Sequence, residues 1–345
     1  GANYFAGLCV NLLRHPAWGR AQETYGEDSY HLGAMGVGLM RGVQSQHVMV
    51  CAKHFAVNSI ENSRFYLDVR IDDSTLHNVY LPHFKTLVDA GVDSLMSAYN
   101  QLNGEYCGHS RKLLHDILRQ QWGFRGFVSS DWLWGIYETV APANAGMDME
   151  MPRAHFYGKR LWKAVRRGTV SQAAIDDSVR RILTAKLRWL TSLPDTPADT
   201  TVIACDAHRQ LAREVAEQSM VLLTNKGVLP LSTASLQGNT LAVIGELANT
   251  ACLGDHGSSR VSPPYTVTLL EGLQQFVGDT VRVVYCDGKD VAAAQQLARD
   301  AAAVLLVAGL HADDEGENLT SNRKPEANPK VPRGGDRAAL TLAAE

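Results

Sequence analysis

The feature that most constrains this chain is the alternation, over its first half, of short apolar runs with amphipathic stretches. Apolar runs separated by helical patterns build βα units, and the strands of such units lie parallel because each helix carries the chain back across the sheet. Strand candidates are Phe5 to Leu13, Val48 to Phe55, Ser94 to Asn100, Gly126 to Trp132 and Ala145 to Met151. Helical patterns lie between them at Tyr30 to Gln44, Thr75 to Ala90, Arg111 to Gln121 and Lys159 to Arg167, the third closed by Gly123 and the last by Gly168. Polar and aromatic residues stand at the strand ends: Lys53-His54, Tyr99-Asn100 and Asp131-Trp132. In a parallel barrel those ends form the catalytic face.

A helix from Ser171 to Leu190 precedes Thr191 to Thr200, where Pro, Asp and Thr remove all periodicity. A linker at 195–206 is therefore expected, with a (β/α) barrel domain at 1–194 and a second α/β domain at 207–345. The second domain reads as a helix at His208 to Leu223, strands at Leu241 to Glu246 and Val281 to Cys286, a helix at Thr268 to Val277, and an Ala-rich helix running into Val304 to Leu310. An eight-stranded barrel typically takes ~250 residues, so a barrel lacking its N-terminal part is expected, and likewise a second domain lacking its last strands. Such open edges and uncovered apolar faces predict poor stability or association in isolation. Homo-oligomer formation stays open.

The net charge of -3, with acidic and basic residues interspersed, offers no extended basic face for nucleic acid. No apolar run reaches the ~20 residues that cross a bilayer, so no membrane partner is expected. The start of the chain has no basic segment leading into an apolar one; the compartment stays unknown, with the cytoplasm slightly favoured. The six cysteines are scattered without CxxC pairs and read as buried thiols, with no metal site. No cofactor is called for: Gly33-Ala34-Met35-Gly36-Val37-Gly38 falls inside a helical pattern rather than after a strand, which argues against a dinucleotide fingerprint. Nor does a serine sit in a nucleophile elbow.

Asp131 ends the apolar run Gly126 to Ser130, where a buried strand points a carboxylate into the catalytic face, and Trp132 beside it can stack on a sugar ring. On position alone Asp131 reads rather as an N-cap for a helix over Leu133 to Glu138. The surrounding motifs change that balance. Trp18-Gly19-Arg20-Ala21-Gln22-Glu23-Thr24-Tyr25-Gly26-Glu27-Asp28, Lys53-His54-Phe55, Met96-Ser97-Ala98-Tyr99-Asn100 and Ser130-Asp131-Trp132 follow one another in an order that resembles glycoside hydrolase family 3. Gly254 to Ser259, Leu270-Glu271-Gly272-Leu273 and the strand and acidic loop from Val304 to Glu317 look like that family's α/β sandwich domain.

The resemblance implies a retaining exo-β-glycosidase that forms a covalent glycosyl-aspartate on Asp131. It implies a terminal β-D-glucosyl residue of an oligosaccharide or an aryl or alkyl glucoside as substrate. A β-xylosidase or another β-glycosidase of the family is the alternative, as is a silent carbohydrate-binding fragment. Retention needs two carboxyl groups about 5 to 5.5 Å apart. Motif matching puts the acid/base at Glu317, with Glu315 the rival register, and the charge of Asp313-Asp314-Glu315-Gly316-Glu317 is suited to raising one carboxyl's pKa. A solvated acidic loop or a cation site is the bland reading of that cluster, although EF-hand spacing is absent. The resemblance places Arg20, Lys53 and His54 on sugar hydroxyls. Met96, Tyr99 and Trp132 are further candidates for substrate contact. Read structurally, Arg20 pairs with Glu23 or Asp28, His54 is a satisfied core histidine and Met96 is packing. Tyr99 lines the pocket floor or bonds the nucleophile. The family's N-acetylglucosaminidase branch follows Lys-His-Phe with Pro-Gly-His, whereas here Ala56-Val57-Asn58-Ser59 follows, which disfavours that branch.

Overall fold

The computed structural model describes residues 2–191, 199–319 and 334–341. These fall into two bodies, one within Gly1–Thr196 together with Gly316–Ala338, the other within Pro197–Glu315 together with Ala339–Glu345.

The first body is built on four parallel strands, β1 (Tyr4–Cys9), β2 (Met49–Phe55), β3 (Ser94–Ser97) and β4 (Phe127–Ser129), hydrogen-bonded in that order. Between them run α1 (Ser29–Gln44), α2 (Pro82–Asp89) and α3 (Lys112–Gln121), which gives the repeating strand and helix of a (β/α) barrel wall. β2 is buried along its whole length, as expected for an inner parallel strand covered on both faces. Its apolar residues reach Phe55, which meets Phe84 of α2 edge-on at 5.2 Å. α1 starts where the Asp28 carboxylate accepts the His31 N–H at 2.7 Å, and Gly33 to Gly38 lie inside this helix as the sequence suggested.

Three expectations about the secondary structure of the first body need correction. The helix over Thr75 to Ala90 is broken, because Pro82 has no N–H to continue a ladder. The Leu81 N–H instead closes a wide turn on the Leu76 carbonyl, and α2 begins at Pro82. A strand over Ala145 to Met151 does not form: Val140–Ala145 is helical, Gly146 closes it at φ +101°, and only Met149 bridges Ser129. The reason is Asp148, whose carboxylate takes the Val128 N–H at 2.8 Å in place of a ladder carbonyl. Leu133 to Glu138 is turn rather than helix, so Asp131 caps no helix there. β1, β3 and β4 end earlier than their expected runs, whereas β2 ends at Phe55 as expected.

In the second body β5 (Thr240–Ile244), β6 (Arg282–Cys286) and β7 (Ala303–Leu306) form a parallel sheet in the order β7-β5-β6. Two helices connect them, Leu269–Val277, opened by a Thr268–Glu271 capping box, and Val291–Asp300. The preceding helix ends at Ser219, not Leu223, and Met220 to Leu223 are exposed. Of the linker expected at 195–206, residues 195–198 lie outside the described residues, as do 320–333; Thr200–Val202 form a short 3-10 turn and the next helix opens at Asp206. Cys9, Cys51 and Cys107 are buried, but Cys205 and Cys286 are half-buried and Cys252 is exposed, which corrects the expectation of six buried thiols. Among the described residues no helix is long and apolar enough to cross a membrane.

Asp148 also ties the first body together. Its buried carboxylate meets Arg119 of α3 at 2.7 Å and Arg181 of the helix Gln172–Leu190 at 2.6 Å. Removing one partner of a buried ion pair strands the other charges, which typically costs about 3 to 5 kcal/mol. Asp148→Ala should lower unfolding stability by about that amount in a urea titration. An unchanged midpoint would show that the two arginines find other partners.

Candidate active site

Five chain segments converge at the C-terminal ends of the first body's strands. The end of β2 supplies Lys53 and His54, the chain after β1 supplies Asn11 and Arg20, and the chain after β3 supplies Tyr99. The end of β4 leads to Asp131, and the returning segment brings Glu317. Arg20, Lys53, His54, Tyr99 and Asp131 are all buried polar or amphipathic groups. Burial at that density demands that each find a partner.

Arg20 is 1% exposed, and its Nε and Nη2 chelate Glu23 at 2.7 and 2.9 Å, while Nη1 lies 3.6 Å from Glu317. Burial works against the guanidinium charge, but the carboxylates of Glu23, Glu61 and Glu317 together outweigh it, so Arg20 is held firmly charged. Lys53 Nζ stands 3.7 Å from the same Glu23. The pairing of Arg20 with Glu23 is the structural alternative in the sequence; it coexists with a reach toward Glu317.

His54 is clamped by Asn11. The Asn11 Nδ2 donates to the His54 carbonyl at 2.8 Å, which makes Asn11 Oδ1 the acceptor. That oxygen takes the His54 backbone N–H at 2.8 Å and faces ring Nδ1 at 2.9 Å. The network thus assigns the ring proton to Nδ1 and leaves Nε2 with a lone pair. Burial, and then the charges of Arg20, Lys53 and Arg64, push the imidazole pKa well below the usual histidine value, so the ring is neutral. Nε2 lies 3.6 Å from Asp131 Oδ2.

Asp131 is set by its turn. The Trp132 N–H donates to Asp131 Oδ1 at 2.7 Å, and Ser130 bonds the Met149 and Met151 backbone. Gly135 makes the turn possible, because a Cβ there would run into the Asp131 backbone nitrogen and carbonyl. Oδ2 has no hydrogen-bond partner among the described residues. Burial raises the Asp131 pKa, while Arg64, Arg20, the Trp132 N–H and Lys53 pull it back. Tyr99 donates to the Trp132 carbonyl at 2.8 Å, one residue beyond Asp131. Burial and the Asp131 charge push its own pKa up. Met96 is buried in β3 opposite Ser129, and Trp132 is 37% exposed, so its ring is accessible.

Glu317 meets Arg64 Nη1 at 3.1 Å as well as Arg20. This differs from the like-charge setting read from the sequence: Asp313 pairs with His256 at 2.8 Å in the second body, where Glu315 also belongs, its N–H on the His311 carbonyl at 3.4 Å. No group of three or more metal-ligating side chains occurs among the described residues. Sequence reasoning missed Asn11, Glu61 and Arg64. Asn11 carried a signal, an amide inside an apolar run. Arg64 carried none, yet it pairs with Glu61 at 2.9 Å and lies 4.9 Å from the Tyr99 ring centroid.

Residues 5–185 match the glycosyl hydrolase family 3 N-terminal domain and residues 220–345 the family's C-terminal domain. The chain is 36% identical over 285 residues to thermostable beta-glucosidase B of Acetivibrio thermocellus, a match covering 82% of this chain and 37% of that protein. It is 39% identical over 278 residues to a beta-glucosidase of Rhizobium radiobacter, covering 79% of this chain and 33% of that one. The crystal structure of a beta-D-glucoside glucohydrolase from Trichoderma reesei superposes with a TM-score of 0.87 at 26% identity, over 99% of this chain and 50% of its own. The chain therefore spans half or less of the length of these relatives.

The Asn11 clamp predicts a neutral His54 with its proton on Nδ1 at pH 6, read by imidazole nitrogen shifts in NMR. Because the folded pKa is depressed, His54 contributes stability that is present above the unfolded value near ~6.5 and is lost as pH falls from there toward the folded pKa. An imidazolium signature for His54 at pH 6 would contradict the assignment.

Proposed function

Because the chain belongs to glycosyl hydrolase family 3, we propose that it carries the catalytic centre of a retaining exo-β-glycosidase, a β-glucosidase, with Asp131 as nucleophile and Glu317 as acid/base. The observation that carries this reading is Asp131 itself: a buried carboxylate at a strand end, one oxygen fixed by the Trp132 N–H and the other unbonded beside His54 Nε2. The beta-glucosidase names of the relatives support glucose as the sugar.

Oδ2 and His54 Nε2 are both acceptors, so the pair suits a ligand rich in hydroxyl donors. Lys53 and Arg20 add cationic donors for hydroxyl oxygens. Asp131 attacks the anomeric carbon, and the glycosidic oxygen leaves with a proton from Glu317. Glu317 then takes a proton from the water that hydrolyses the glycosyl-aspartate. Glu317 is ion-paired with Arg64 and Arg20. Acting as an acid requires it to loosen those pairs, and sugar hydroxyls competing for Arg20 provide the occasion.

Asp131→Ala should abolish turnover even of activated aryl glucosides, and a 2-fluoroglucoside should label the Asp131 peptide. Label on another carboxylate refutes the assignment. Since the nucleophile must be ionised and its pKa is raised by burial, kcat/KM for a dinitrophenyl glucoside should fall on the acid side with an apparent pKa above the ordinary aspartate value of ~3.9. Glu317→Ala should cripple cellobiose hydrolysis far more than glycosyl-enzyme formation from the dinitrophenyl glucoside, with azide rescuing the second step. If Glu315→Ala shows that asymmetry instead, the two roles exchange.

A further inference from the structure

The segment that carries Glu317 is held in place at a point distant in sequence. Asp336 lies on three backbone N–H groups of the first body. Its Oδ1 accepts from Gly19 at 3.0 Å and its Oδ2 from Asn62 at 2.9 Å, and the Glu61 N–H sits between both oxygens at 2.9 and 3.0 Å. Converging backbone N–H groups make a concavity suited to an anion, and hydrogen bonds to a carboxylate are roughly twice as strong as neutral ones. The contacts on either side agree. The Asp336 N–H donates to Asn62 Oδ1 at 3.0 Å, and the Arg337 N–H donates to the Ala17 carbonyl at 2.9 Å.

From this seat the hold passes to Glu317. The Gly335 N–H donates to the Gly316 carbonyl at 2.7 Å in an antiparallel bridge, one residue from Glu317. Asn318, on the other side, donates its N–H to Glu61 Oε2 at 3.2 Å, and its carbonyl accepts from Arg64 Nη2 at 2.8 Å. Trp18 completes the frame by donating its indole N–H to Glu61 Oε1 at 3.2 Å. The approach is close enough that residue 19 must be glycine: a Cβ there would run into the carbonyl oxygens of Gly335 and Gly316. The Trp18-Gly19-Arg20 turn thus presents a flat seat at Gly19, and the next side chain, Arg20, reaches toward Glu317.

We propose that Asp336 is a positioning residue, seated on the N–H groups of Gly19, Glu61 and Asn62, that holds Gly316 to Asn318 against the first body and so fixes Glu317 within reach of Arg20 and Arg64. The catalytic part of this inference rests on Glu317 being the acid/base; the anchor itself does not. Losing the anchor leaves the nucleophile intact but displaces the acid, so the damage follows the leaving group.

The test uses Asp336→Ala, Asp336→Asn and Gly19→Ala in the intact protein. Hydrogen exchange of peptides covering 316–319 and 334–338 should accelerate in Asp336→Ala and Gly19→Ala. Asp336→Asn should respond less, since its amide keeps one accepting oxygen but turns donors toward the remaining N–H. In Asp336→Ala, kcat for cellobiose should fall by roughly 10²-fold, the lower end of what a general acid contributes, while glycosyl-enzyme formation from the dinitrophenyl glucoside changes little. Unchanged exchange in both Asp336→Ala and Gly19→Ala overturns the anchor whatever the kinetics. Accelerated exchange with equal losses on both substrates overturns the positioning role, provided Glu317→Ala shows the leaving-group asymmetry. If Glu317→Ala lacks it too, the acid/base reading fails and the accelerated exchange still upholds the anchor.

Discussion

Everything at the strand ends depends on the chelation of Arg20 by Glu23. A guanidinium buried this deeply and left unpaired would be penalised by several kcal/mol. The two bonds at 2.7 and 2.9 Å remove that penalty within a single turn of chain. With its charge secured, Arg20 can act on its neighbours. It helps keep His54 neutral, opposes the burial of the Asp131 carboxylate, and gives Glu317 a counter-charge. Glu23 serves Lys53 as well, so one carboxylate settles the charges of two cations that the proposed chemistry assigns to sugar hydroxyls.

Much of this was legible in the sequence because it is local. β2 reads as an uninterrupted apolar run that stops at Lys53-His54, and a buried parallel strand has no other way to look. Asp131 was visible for the same reason, and Arg20 with Glu23 because the two lie three residues apart. What was not legible depends on distant partners or on side chains that substitute for backbone. Asp148 takes a ladder position with its carboxylate, so an apolar run that looks like a strand contributes a single bridge. Arg64 and Glu61 look like a solvated pair until Trp18, Tyr99 and Asn318 are brought against them. The acidic cluster near Glu317 misled in the opposite sense: proximity in sequence suggested repulsion among like charges, yet the chain splits there, and Glu317 joins cations while Asp313 joins a histidine.

The two faces of Asn11 show how little chemistry is needed to fix a reactive ring. One amide, by donating to a carbonyl, determines which of its own atoms accepts, and thereby which imidazole nitrogen keeps its proton. The outcome at Nε2, some distance from Asn11, is a lone pair beside Asp131 rather than a donor competing for it.

The seat of Asp336 has a consequence in time. Gly19 and Asp336 are 317 residues apart, and ribosomes extend a chain at ~5–20 residues per second. Roughly a quarter of a minute to a minute therefore separates the emergence of the seat from that of the carboxylate that fills it. The strands bearing Lys53, His54 and Asp131 are all made within that interval and can pair among themselves. The Glu317 segment can be fastened only after nearly the whole of this stretch of chain exists. The cluster is thus assembled in two stages, the one carrying Asp131 early and the one carrying Glu317 late, and an interrupted synthesis leaves the former without the latter.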